Sequence, residues 1–424
     1  MVTSPDVSYV LNGLNGTFQP TVQLKIVDAS DLYMSWRWEH QLTTMRAFVI
    51  PRAAVAEALH HLAHALPTPL EGESVEQALT RSLTYGPLTD LDREIELSTS
   101  LAGSLFPHPL GMELNALLEK GIRAHIRIQP SPSTAQVPWE SLRVDEGERA
   151  VHNTDISVLT PATIRNAPQR RISPWDPEGA IAGALDPRVP GFDQTSSLGT
   201  VLGPVSEGSP LRDMVTAWGS RAMLGPSPNA DPFRRSDVSR TELRSMLADA
   251  SRFFYIGHVT TSEHSLDARL HVSCPATAPG RATPIGAHRP LTAADIALGH
   301  DPREPGAWRM PNRVALIACE SGGDNRFAEP AGLVAAAVHS GAQYVTATRW
   351  TLPTDHGIRH FSPHADENTR PLSDAVIAVD TAHEADRPIA TLNRWQRDQA
   401  DKWESTGLPQ YSPVIWAALA TTFG

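Results

Sequence analysis

Arg313-Val314-Ala315-Leu316-Ile317-Ala318-Cys319-Glu320-Ser321-Gly322-Gly323 is an apolar run closed at one end by an arginine and at the other by a glycine-bearing turn. The continuous run Val314 to Ala318 has the length of a central parallel strand covered on both faces. Cys319 then falls where the strand leaves the sheet. Open parallel sheets bind ligands in the crevice outside the carboxyl ends of their strands, so a cysteine there is within reach of a substrate. A lone free cysteine is equally a small buried hydrophobe, and one residue does not separate the two readings.

A second stretch is built the same way. Arg252-Phe253-Phe254-Tyr255-Ile256-Gly257-His258 is aromatic and β-branched up to a Gly-His pair, which predicts a strand with a histidine at its carboxyl end. The chain between the two stretches is long enough for a right-handed crossover, which would set both strands side by side. A nucleophile and a base would then face one crevice.

Composition narrows the classes. A chain of 424 residues suits two ordinary domains, or one large domain with insertions. The formal net charge is −11 and there is no block of Lys or Arg, which argues against nucleic acid or an anionic membrane as main partner. Lysine occurs only at Lys25, Lys120 and Lys402, so arginine carries nearly all the positive charge, as a GC-rich genome would dictate. Met1 to Asp6 has no basic region leading into an apolar core, and no apolar run approaches a membrane span. The expected location is the cytoplasm. The two cysteines, Cys274 and Cys319, cannot make a disulfide framework or a cysteine zinc site, and no metal or other cofactor is expected.

Along the chain, Thr21 to Val27 and Leu32 to Trp38 read as strands that could pair as a hairpin. Pro51 opens a helix with Val55, Leu59, Leu62 and Leu66 on one stripe; His60, His61 and His64 on it are expected to be a solvated face. Helices are predicted over 75–84 and 88–102, a half-buried strand over 124–128 and another over 156–159. The Pro, Arg and Asn in 166–178 mark a boundary. After it come a buried strand over 180–185, a loop-rich stretch with one helix over 211–218, and a helix opened by the Ser239-Arg240-Thr241-Glu242 capping box. Between the histidine and the cysteine lie a short strand near 270–272 and a helix over 292–298. Beyond the cysteine come a helix over 331–340 stopped by Gly341 and a strand over 344–348. The alternation predicts a mostly parallel α/β sheet.

Gly-x-Ser-x-Gly, Walker, dinucleotide and HExxH motifs are absent, whereas a Cys-His pair suits acyl transfer. The surrounding motifs resemble the CHAT family, caspase-like peptidases related to separase. Val137-Pro138-Trp139-Glu140-Ser141-Leu142 is similar to the family's Pro-aromatic-Glu-x-Leu element, Phe254 to His258 to its histidine strand, and Ala318-Cys319-Glu320-Ser321-Gly322 to its nucleophile motif. Ala331-Gly332-Leu333, Ser340-Gly341-Ala342, Thr348-Arg349-Trp350 and Pro413 to Ala418 match the elements beyond it, in family order. The resemblance implies a caspase-like fold with an N-terminal half (1–174) packed on a catalytic half (175–424). It also implies Cys319 as nucleophile and His258 as general base, and the backbone N–H groups of Val259 and Cys319 are the candidate oxyanion donors. Val259 stands where the family usually has Gly: the amide is kept, with fewer backbone angles open to it.

Substrate contacts are less legible. Glu320, Glu263, Asp267 and Asp324 are either loop solvation or, if buried, carboxylates for a basic side chain, with Glu320 and Asp267 the stronger candidates. Trp350 either lines the cleft or belongs to the core. Gly357 and Pro363 argue against a metal-binding helix at His356 and His360. The leading expectation is a cytoplasmic cysteine endopeptidase acting on a protein or peptide substrate. Long Gly/Pro-rich connections and the lack of a sensor module point to activation by a separate regulatory protein, as in the bacterial defence systems where family members occur. The alternative is an inactive caspase-like adaptor.

Overall fold

The computed structural model describes residues 19–424, except 146, 261–263, 302, 304, 305, 307 and 320–330. Its strands are β1 (Thr21–Asp28), β2 (Leu32–Trp38), β3 (Met45–Ile50), β4 (Ala124–Gln129), β5 (Arg143–Asp145), β6 (Glu148–Arg149), β7 (Thr154–Leu159), β8 (Ile181–Leu185), β9 (Ala222–Met223), β10 (Arg252–Thr260), β11 (Arg269–Leu270), β12 (Leu291–Thr292), β13 (Arg313–Cys319), β14 (Tyr344–Thr348) and β15 (Leu419–Phe423). β5 and β6 form a hairpin of their own. The rest make one sheet in the order β12-β11-β10-β13-β14-β15-β7-β4-β1-β2-β3, with β8 against β10 and β9 against β8.

Two parallel blocks meet in this sheet. β9, β8, β10, β13 and β14 run one way, and β15, β7, β4 and β1 run the other, the junction being the antiparallel pair β14 and β15. The carboxyl ends of β8, β10, β13 and β14 therefore share one edge, opposite to those of β7, β4 and β1. The last strand, β15, is the first of the second block and pairs with β14 across the junction, so both ends of the chain contribute to one sheet. This is the mixed, mostly parallel, helix-flanked sheet that the alternation predicts.

The continuous apolar runs are covered on both faces for a visible reason. Phe254, Ile256, Ala315 and Ile317 enter one cluster, together with Trp218 and the helix Pro371–Glu384. Phe253, Tyr255, Val314 and Leu316 enter the other, with the helices Arg240–Asp249 and Ala331–His339. β4, expected to be half-buried, is buried at Ala124, His125, Ile126 and Ile128, because Ala124, Ile126 and Ile128 enter the core cluster on one face while the His125 ring meets the Ser157 hydroxyl on the other. The helix expected from Leu88 starts at Leu91, since Asp90 accepts from the Arg93 N–H and Leu88 sits in a separate turn. β3 escaped the sequence reading because it is an exposed edge strand with little apolar alternation.

At the foot of the sheet β10 and β13 both begin with arginine, and Arg252 pairs in register with Arg313. Both are buried. Arg252 donates to the Asp380 carboxylate (2.7 Å) and carbonyl (3.1 Å), and lies 3.1 Å from Glu384. Arg313 donates to the carbonyls of His383 and Ala385 (2.6 and 2.7 Å) and stacks on Trp175; burial pulls its pKa down to about 10. All these acceptors belong to the last turn of the helix Pro371–Glu384 or follow it, where unpaired carbonyls and the helix dipole favour cations. Arg252→Met is expected to cost about 3 kcal/mol in urea unfolding, because it leaves the largely enclosed Asp380 carboxylate without its buried cation. Adding Asp380→Asn is expected to recover part of that loss; a single variant costing under about 0.5 kcal/mol, the level of an ordinary surface change, contradicts this account.

Candidate active site

The β10–β13 ladder runs unbroken from Arg252↔Arg313 to His258↔Cys319. Adjacent strands lie about 4.8 Å apart, so the backbones of the histidine and the cysteine are neighbours at the carboxyl edge of the block, the edge at which open parallel sheets generally bind ligands. The Cys319 side chain lies outside the described residues, as do Glu320, Glu263 and Asp324.

The residues around His258 explain its setting. A Cβ on Gly257 would sit 2.6 Å from the Tyr255 hydroxyl, so glycine is required for the phenol to pass. The hydroxyl then reaches the carbonyls of His258 (2.8 Å) and His271 (2.9 Å), and the His258 carbonyl also accepts from the His271 N–H (3.2 Å). The His258 carbonyl is thereby turned toward β11. In a trans peptide the following N–H points the opposite way, so the Val259 N–H faces the β13 side, where Cys319 ends.

The His258 ring is 4% exposed, and its Nε2 lies 3.1 Å from the Gly199 carbonyl. A carbonyl can only accept. Nε2 therefore carries a proton, and in the neutral form of the ring the basic nitrogen is Nδ1. The Gly199 loop carried no sequence signal for this role.

A second histidine chain adjoins the site. The His288 Nδ1–H donates to the Cys274 carbonyl (2.9 Å), which makes His288 Nε2 the acceptor for His271 Nδ1–H (3.1 Å) and His271 Nε2 the acceptor for the Thr260 hydroxyl (2.9 Å). Burial holds His271 well below the ordinary imidazole value, and pushes His288 down to about 4. Cys274 is buried, and its sulfur accepts from the Arg240 N–H.

The other expected residues separate. Asp267 is exposed, in the turn Ser265–Asp267 that packs on the helix Ala331–His339. There the Ser265 carbonyl leaves no room for a Cβ on Gly332, which accounts for that glycine. Trp350 is 4% exposed and lies in the core, its indole donating to the Val414 carbonyl (2.9 Å). Arg349 forms a buried pair with Glu140 (2.7 Å) and donates to the Ala417 carbonyl, while the Leu352 N–H reaches the Ala318 carbonyl (3.1 Å). Three motifs far apart in sequence thus meet beside the end of β13. His60, His61 and His64 lie on an exposed helix face, as expected.

These features define an α/β protein with a histidine and a cysteine in register at the carboxyl edge of a parallel block. The chain belongs to the CHAT domain family, whose model matches residues 96–424. No curated protein matches it. Among solved structures it is similar to chains in two crystal structures of the Saccharomyces cerevisiae separase–securin complex. Each is 10% identical, with TM-scores of 0.45 and 0.41, and the matches cover 96% and 95% of this chain. The chain spans only 30% of the length of either. Among the described residues, no helix is long and apolar enough to cross a membrane.

Two outcomes follow from this geometry. Tyr255→Phe is expected to cost about 1–2 kcal/mol and to speed hydrogen exchange at the His271 amide; unchanged exchange would show that the phenol does not hold this peptide. For His288 the folded value of about 4 lies below the ordinary 6.5, so the unfolded chain binds the proton first. Stability is therefore intact above pH 6.5 and falls toward pH 4, by roughly 1.4 kcal/mol per pH unit from this residue, which melts at pH 7, 5.5 and 4.5 would register against His288→Gln.

Proposed function

We propose that the chain is a cysteine endopeptidase using Cys319 as nucleophile and His258 as general base. The observation that carries this reading is the pairing of His258 with Cys319 at the carboxyl edge of the parallel block. His258 Nδ1 takes the thiol proton, and the thiolate adds to the scissile carbonyl. The developing oxyanion is received by the N–H groups of Val259 and Cys319. The imidazolium then protonates the leaving amine, and water hydrolyses the thioester.

In this reading residues 175–424 form the catalytic half, and residues 1–174 the non-catalytic half that braces it through Glu140 and Arg349. The substrate is a protein in the cytoplasm; Glu320 contacts a basic side chain at the cleavage site, Asp267, exposed rather than buried, adds only a solvent-screened attraction for it, and Trp350 supports the cleft from the core. A separate regulatory protein, encoded near this chain in a bacterial defence setting, switches the site on.

The test is a peptidyl acyloxymethyl ketone with arginine at the specificity position, applied with and without the proteins encoded nearby. Labelling is expected on Cys319, lost in Cys319→Ala and slowed at least about a hundredfold in His258→Ala. Labelling that neither substitution affects would overturn the dyad. A folded chain that is never labelled, even with its neighbours present, is the adaptor.

A further inference from the structure

The histidine of the proposed dyad rests on a loop carbonyl, and that carbonyl is itself held from beneath. Gly199 C=O, the acceptor for His258 Nε2, also accepts from Arg234 Nη1 at 2.7 Å. Arg234 in turn pairs with the Asp186 carboxylate at 3.3 Å. Asp186 closes the turn from below. Its two carboxylate oxygens accept from the Thr200 hydroxyl (2.5 Å) and from the N–H groups of Val201 (3.2 Å) and Leu202 (3.4 Å).

The carboxylate therefore organises the residues that follow Gly199, and the guanidinium bridges it to the Gly199 carbonyl. Asp186 is fixed to the histidine strand as well, its N–H donating to the Ile256 carbonyl at 2.7 Å. The Arg234 N–H donates to the Leu185 carbonyl, at the end of the neighbouring strand β8. Both residues are thus tied to the sheet edge that presents His258.

Two further features set this cluster apart. Asp186 (φ 49°) and Arg234 (φ 55°) are the non-glycine residues with positive φ among the described residues, so both such backbones fall in one ion pair. Left-handed backbone at an L-residue is costly and persists only where its surroundings over-determine it, and such strain gathers at functional sites. Gly199 has no room for a side chain: a Cβ would sit 2.1 Å from the Gln194 carbonyl oxygen. The carbonyl that meets the imidazole cannot drift.

We infer that Asp186, Arg234 and the Gly199 carbonyl form a positioning unit for His258, fixing the Nε2–H tautomer so that the Nδ1 lone pair is delivered to the cysteine side. The inference rests on the proposed dyad. Neither Asp186 nor Arg234 meets substrate; both act through a backbone atom. Because the pair is neutral as a whole, it orients the ring without adding net charge beside it.

The test reads the ring directly. Protein labelled with ¹⁵N-histidine, with the His258 signals assigned by difference from His258→Gln, reports which ring nitrogen carries the proton. The native chain is expected to show a protonated Nε2 and a bare Nδ1. Arg234→Met and Asp186→Asn are expected to give a mixture of tautomers and to slow Cys319 labelling by about tenfold to a hundredfold, the usual cost of losing an orienting partner. Arg234→Lys, which keeps the positive charge and one donor for the carbonyl, is expected to restore much of both, and serves as the readout if Arg234→Met does not melt cooperatively. An unchanged His258 tautomer in folded Arg234→Met or Asp186→Asn, with only a lowered melting temperature, would reduce the cluster to a structural role. That outcome is separable from failure of the dyad, which shows as labelling indifferent to His258→Ala while the ring signals still respond to Arg234.

Discussion

The register of β10 against β13 is the constraint on which the rest depends. Side chains in a strand alternate, so a slip of one residue would exchange the residues packed in the two clusters on either face and part His258 from Cys319. The register is held at both ends. At the foot, Arg252 and Arg313 lie side by side and bind the last turn of one helix; at the head, Gly257 admits the Tyr255 phenol that fixes the His258 carbonyl. The apolar residues between fill both faces of the sheet. A buried ion pair contributes little net stability compared with apolar packing, but it is unforgiving of a lost partner, which suits it to specifying one alignment.

A second buried pair ties distant parts of the chain together. Glu140 and Arg349 are both buried, and they sit where the chain leaves β14, beside the closing element at 413–418. Because Leu352 bonds back to Ala318, whatever holds Arg349 also steadies the end of β13. The pairing of β15 with both β14 and β7 does the same at the level of the sheet. Glu140 and the strands β7, β4 and β1 are in this sense part of the frame around the end of β13, although those strands' carboxyl ends face the other way.

Much of this was legible in the sequence, for identifiable reasons. The two apolar runs ending in Gly-His and in cysteine announced central strands, because such runs occur only where both faces are covered. Motif order linked Glu140, Arg349 and Trp350 to the fold, and the structure supplies the physical reason, a buried pair and an indole anchored to Val414. Asp186 merely follows the strand read over 180–185, and Arg234 is one more arginine in an arginine-rich chain. Their pairing depends on two left-handed backbones and on a loop folding back over 199–202, and non-local closure of that kind leaves no periodicity to read. Gly199 was one of many loop glycines; only the approach of Gln194 singles it out. The histidine chain through His271 and His288 was missed similarly, since its members sit in loops and edge strands.

The most direct test of the central claim is a cross-link between the two strand ends. His258→Cys places a second cysteine opposite Cys319, at the spacing that adjacent strands share with disulfides. After mild oxidation, mass spectrometry of the unreduced digest is predicted to find the peptide of residue 258 joined to that of Cys319, with Cys274 free. A Cys319 that stays free, or that links to Cys274 while residue 258 stays free, would contradict the register from which the account is built.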